Sequence, residues 1–120
     1  MSTGTVAGEI DVIASLYEFR EPDEVRVFLK RNPFLFDLLE RTRPEIARIF
    51  GDHALHVFLE THYDVEERDE SLMIKIQVDL GLDDAEEYLN RFDEEWWLKI
   101  DRRYFGIVEA DIEFGPRVRA

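Results

Sequence analysis

The hydrophobic pattern changes its period near Gly51, and this change constrains the fold more than any other feature of the chain. Before Gly51, apolar residues recur at helical spacing, as in the stripe of Val25, Phe28 and Leu29. After Gly51 they alternate, first in ALHVFLETHY and then in SLMIKIQVDL, which is typical of strands with one buried face. The charged loop DVEERDE between these segments favours a hairpin. The chain therefore combines helices with a sheet.

A further helix and a last strand follow the hairpin. The helix is indicated after Gly81, where Asp83 and Glu86 fit a capping box. The segment from Gly106 to Phe114 alternates again and ends at a Gly-Pro pair. The order of elements is thus N-terminal helices, strand, strand, helix, strand.

This order predicts an α+β fold with a three-stranded antiparallel sheet. The helix would cross over from the second strand to the third, and the first strand would fill the gap between them. This is the split βαβ arrangement, with the helices on one face of the sheet. The first dozen residues are mostly small or polar, so we expect residues 1–14 to form a loose N-terminal segment. Residues 15–120 are expected to form a single domain.

Two prolines divide the N-terminal helices. Pro22 suits the first turn of a helix. Pro44 interrupts the next apolar stripe, so that either the helix kinks there or a new helix begins with Thr42 as its cap.

Strand alternation and the helical stripe together predict one hydrophobic core. Its members are the inward-facing strand residues and the apolar side of the last helix. They are Leu55, Val57, Leu59, Ile74, Ile76, Val78, Leu89, Phe92 and Trp96.

The charge of the chain lies in its second half. The net charge is −13, and residues 51–114 contain 19 acidic and 6 basic residues. Such a field repels nucleic acid and anionic lipid and attracts basic partners. It also keeps a small protein in solution, which is the simpler interpretation. The absence of cysteine excludes thiolate chemistry and suits a reducing compartment, so we expect a cytoplasmic protein without a membrane span.

The stretch NRFDEEWWLKI, with RNPFLFDLLE upstream and IEF near the end, resembles a group of small, uncharacterised bacterial proteins. The resemblance covers about residues 22–114 and implies an Asn-Pro helical start, two strands, a helix ending in FDEEWWL and an acidic last strand. It brings no assigned activity and no catalytic residues. Pro44 departs from the pattern, in which that helix is uninterrupted.

Three residues of the first long strand could hold a metal ion. By alternation His56, Glu60 and His62 share one face, and imidazole with carboxylate suits a divalent cation. The acidic residues of the last strand would join them if that strand pairs with the first. Alternation by itself also demands polar residues on an exposed face, so an ordinary solvated surface is the alternative.

The FDEEWWL segment is the second candidate. Trp96 lies on the predicted apolar stripe, whereas Trp97 is displaced from it by about 100°. A partly exposed Trp97 beside Glu94 and Glu95 would be a suitable anchor for a partner. The alternative is a wide buried face that contains both rings.

Two hypotheses for the function follow. The first is a non-enzymatic protein that binds a basic protein through residues 51–114, without a cofactor. The second is a small metal-dependent enzyme that uses the His/carboxylate face. The sequence has no glycine-rich phosphate loop, nucleophile elbow or His-Glu-x-x-His motif, which favours the first hypothesis. The sequence does not determine the oligomeric state.

Overall fold

Four α-helices and four β-strands make up the computed structural model of the chain, which describes residues 5–115. Short 3-10 helices follow α3 and α4. In chain order the elements are α1 (Val6–Leu16), β1 (Glu18–Phe19), α2 (Pro22–Arg31), α3 (Leu35–Phe50), β2 (Ala54–Asp64), β3 (Asp69–Val78), α4 (Leu82–Glu95) and β4 (Val108–Phe114).

Helix α1 corrects the prediction of a loose N-terminal segment for residues 6–14. Thr5 caps the helix by accepting a hydrogen bond from the Gly8 amide at 3.0 Å. Ile10 and Ile13 are buried, three residues apart on one side of the helix. This pair supplies the apolar stripe that fixes the segment against the core. Residues 1–4 of the predicted loose segment lie outside the described residues.

The two following helices agree with the positions of their prolines. Pro22 is the first residue of α2, as predicted. Helix α3 continues from Leu35 to Phe50 through Pro44, so no new helix begins with Thr42 as its cap. The Thr42 side chain is instead fully buried.

The sheet is mixed and has the order β1-β2-β3-β4. Strands β2 and β3 form the predicted antiparallel hairpin. Strand β4, however, pairs with β3 in parallel, and β1 pairs with β2 in parallel. The predicted three-stranded antiparallel sheet, with β2 in its centre, is therefore wrong.

Short strand β1 explains this difference. It occupies the edge of β2 that was predicted for the last strand, and the Arg20 amide just after it donates to the Leu59 carbonyl. Strand β4 is then left with the other edge of the hairpin. Because α4 crosses over between β3 and β4, the connection has the length that a parallel pair requires.

One buried cluster joins the helices to the inward face of the sheet. Six of the nine predicted core residues are buried, and Leu89 and Trp96 are partly buried against the cluster. Leu55 is the exception, because 44% of its surface is exposed. The register of β2 shifts between Ala54 and His56, and this bulge takes Leu55 out of the alternation.

Candidate interaction surface on α4 and β4

Helix α4 has a buried side and an acidic side. Ala85 and Phe92 are buried in the core, which turns the opposite side of the helix to solvent. At helical spacing that side presents Asp83, Glu87 and Glu94, all of them exposed. The helix contains seven acidic residues and one basic residue, so its outer surface is strongly negative.

Strand β4, which contacts α4, also carries carboxylates. Its odd-numbered residues, Glu109, Asp111 and Glu113, lie on the sheet face opposite the core, while Val108 is buried on the inner face. Lys75 is the cross-strand neighbour of Asp111, but no ion pair forms between these two residues.

Most of these carboxylates have no cationic partner. Within residues 5–115, only Glu95 of α4 and Glu113 of β4 have a basic group within 4.0 Å. We call the remaining eight carboxylates the acidic surface. Its members are Asp83, Asp84, Glu86, Glu87, Asp93, Glu94, Glu109 and Asp111.

Asp93 and Asp111 connect the helical and strand parts of the acidic surface. Burial raises the pKa of Asp93, and the negative charge of Asp111 raises it further. The two negative charges therefore interact across the junction between α4 and β4. A nearby cation would relieve their repulsion.

The two glutamates predicted to bind a partner have different surroundings. Glu94 is exposed and belongs to the acidic surface. Glu95 accepts hydrogen bonds from Arg48 at 2.8 Å and from Arg91 at 3.1 Å, and these bonds lower its pKa. Its carboxylate links α4 to α3 and is already neutralised within the chain.

Trp97 is buried, so the structure favours the alternative of a buried ring over a partly exposed anchor. Helix α4 ends at Glu95, and the chain turns into a 3-10 helix that begins with Trp97. This turn changes the direction of the side chain, so Trp97 is only 8% exposed and stacks on Phe92 with ring centroids 5.9 Å apart. Trp96 is partly buried, and its Nε1 donates to Thr42 Oγ1 at 2.9 Å. The anchor hypothesis therefore lacks an exposed tryptophan.

A charged cluster centred on Arg20 occupies the outer face of the sheet. Its guanidinium donates to Glu60 Oε1 at 2.9 Å and to both Glu113 oxygens at 2.8 and 2.6 Å. It also lies 3.7 Å above the centre of the Phe58 ring. The hydrogen bonds from Arg20, with another from Gln77, lower the pKa of Glu113 to about 2. No sequence motif indicated Arg20, because its partners lie 40 and 93 residues away.

The proposed metal ligands are not brought together. His56 Nδ1 lies 2.6 Å from a Glu18 oxygen, and Glu60 is bonded to Arg20. His62 is six residues beyond His56, about 20 Å along an extended strand. Strand β4 does not adjoin β2, and Glu113 of β4 meets Glu60 only through the Arg20 guanidinium, which already supplies the positive charge between them. No three His, Cys, Asp or Glu residues among residues 5–115 are grouped as metal ligands.

Comparisons with protein-family models, with curated proteins and with solved structures give no match to this chain. The described helices include none with the length and apolar character needed to cross a membrane. The function is therefore argued from the residues of this chain.

Proposed function

We propose that this protein binds a basic region of another protein through the acidic surface on α4 and β4. The observation that supports this function is that eight of the ten carboxylates of α4 and β4 have no cationic partner within the described residues. Charge of one sign on one surface steers an oppositely charged partner toward it and raises the rate of association.

Acidic residues are denser on α4 than on the N-terminal helices. Helix α4 has seven acidic residues and one basic residue in fourteen positions, whereas Asp11, Asp37 and Glu45 of the N-terminal helices each have an arginine partner. Unpaired carboxylates also occur elsewhere, as at Glu66 and Glu67 of the hairpin loop, and they help to keep the chain in solution. The high density of one sign on α4, with further unpaired carboxylates on β4, supports an additional role in attracting a basic partner.

Binding through this surface does not use a tryptophan anchor on α4, because Trp97 is part of the core. Charge alone gives rapid association but little fixed geometry. A second kind of contact is needed to orient the partner.

Two matched pairs of glutamates test the location of the binding surface. Glu86 and Glu87 lie on α4, and Glu66 and Glu67 lie in the hairpin loop; all four are exposed. The variants Glu86→Gln/Glu87→Gln and Glu66→Gln/Glu67→Gln therefore change the net charge equally. Wild type and both variants would be immobilised and exposed to native lysate, and proteins would be eluted with salt.

We expect a basic protein that is retained by the wild type and by the loop variant but is lost from the α4 variant. The purified partner should then show the same order of affinities in solution. Equal retention on all three columns, or equal loss from both variants, would contradict an acidic binding surface on α4.

A further inference from the structure

Strand β4 has an edge that pairs with no other described strand. Its pairing with β3 begins with the Leu72 amide bonded to the Ile107 carbonyl and ends with the Gly115 amide bonded to the Val78 carbonyl. In a parallel pair with this register, the odd-numbered residues of β4 bond to β3. The amides and carbonyls of Ala110, Ile112 and Phe114 therefore point away from the sheet, and no other described strand pairs with them.

This edge lacks several of the features that prevent strand pairing, although its acidic residues oppose pairing with a strand of like charge. The sequence VEADIEF contains neither proline nor lysine, and its register with β3 is regular. The Ile112 amide donates to Asp111 Oδ1 at 2.8 Å, so the Asp111 carboxylate lies at the open edge and an added strand would take its place as the acceptor for that amide. The first part of β4 is covered, because Phe105 forms an isolated bridge with Val108.

The charge around the edge determines which strand it accepts. Asp111 approaches the edge from the outer face of the sheet, and Asp93 of α4 is close enough to interact with it. A second copy of this chain would bring the same carboxylates together, and like charges in such contact oppose pairing. An extended segment with lysine or arginine side chains would pair with them instead.

We propose that β4 accepts an extended basic segment of the partner as a fifth strand of the sheet. This inference rests on the proposed function and specifies its contact: backbone hydrogen bonds to Ala110, Ile112 and Phe114 orient the segment, and its basic side chains meet Asp93 and Asp111. Strand addition of this kind obtains affinity from main-chain bonds and specificity from side chains.

Amide hydrogen exchange distinguishes strand addition from charge attraction alone. The probe is the heptapeptide Lys-Val-Lys-Val-Lys-Val-Lys with blocked ends, and the control is a peptoid with the same side chains and charge but no backbone amide hydrogens. In the protein alone, the amides of Glu109, Asp111 and Glu113 should exchange slowly. Saturation with the peptide should slow exchange at Ala110, Ile112 and Phe114, whereas the peptoid should leave them unchanged.

A proline at the edge provides a second measurement. Ile112→Pro removes an outward-facing amide that β3 does not use, and proline is tolerated at such positions. Ile112→Val retains the amide and is the matched control. We expect affinity for the peptide to fall about tenfold in Ile112→Pro and to stay unchanged in Ile112→Val. If the proline variant does not fold, hydrogen exchange at Ala110, Ile112 and Phe114 of the wild type decides whether the peptide adds as a strand.

The outcomes separate this inference from the proposed function. If the peptide and the peptoid bind with equal affinity, and if hydrogen exchange at the three amides does not slow, strand addition is overturned. The acidic binding surface would then still stand. A failure of the wild type to bind any basic probe would overturn both.

Discussion

Substitution of Trp97 by alanine should destabilise the fold severely. The ring is 8% exposed and stacks on fully buried Phe92 at 5.9 Å. Removing a buried ring of this size leaves a cavity and costs about 3–5 kcal/mol. Domains of this size have a total stability of about 5–15 kcal/mol, so the variant should lose a large part of it.

Urea denaturation followed by far-ultraviolet circular dichroism measures this loss. With a slope of about 2 kcal/mol per molar urea, the midpoint should fall by about 2 M. The matched control is Leu98→Ala, because Leu98 is adjacent in sequence but 66% exposed, and its cost should be below about 0.5 kcal/mol. A loss below about 1 kcal/mol for Trp97→Ala would refute its place in the core.

Two hydrogen-bonded contacts give further predictions. Arg20 lowers the pKa of Glu113 to about 2. Their contact therefore stabilises the fold fully at pH values above about 4.3, the pKa of a glutamate in the unfolded chain. This stabilisation is lost as the pH falls through 2. Glu113→Gln should therefore flatten the pH dependence of the unfolding free energy in that window; an unchanged profile would contradict the contact. Trp96→Phe and Thr42→Val should show a coupling of about 1 kcal/mol in a double-mutant cycle, because together they remove both partners of one partly buried hydrogen bond. Additive effects of the two substitutions would contradict this contact.

Local patterns in the sequence predicted most elements but not their arrangement. The change of period at Gly51 located the hairpin, and Pro22 located the start of α2. The position of β4 depended on β1, a strand of only two residues. Two residues show no periodicity, so the parallel pairing of β1 with β2 was invisible to pattern analysis. The bulge that exposes Leu55 was equally hidden.

The candidate site could be predicted in its charge but not in its contacts. The concentration of acidic residues after position 51 indicated the acidic surface, and Glu94 lies on it. The change from α-helix to 3-10 helix turns the Trp97 ring into the core and leaves Trp96 partly buried. Helix α4 ends at Glu95, two residues before Trp97, so helical spacing could not place that ring. The open edge of β4 depends on the order of the strands in the sheet, and only the three-dimensional structure gives that order.

The association rate of the purified partner, measured by stopped flow over a range of ionic strengths, tests the acidic surface most directly. Salt screens charges over about 8 Å at physiological ionic strength. The wild-type association rate should therefore fall about tenfold or more as salt rises from low to physiological concentration, with a much smaller change in the dissociation rate. The variant Glu86→Gln/Glu87→Gln should associate more slowly and with a shallower dependence on salt. A wild-type association rate that is independent of salt would contradict the proposed function.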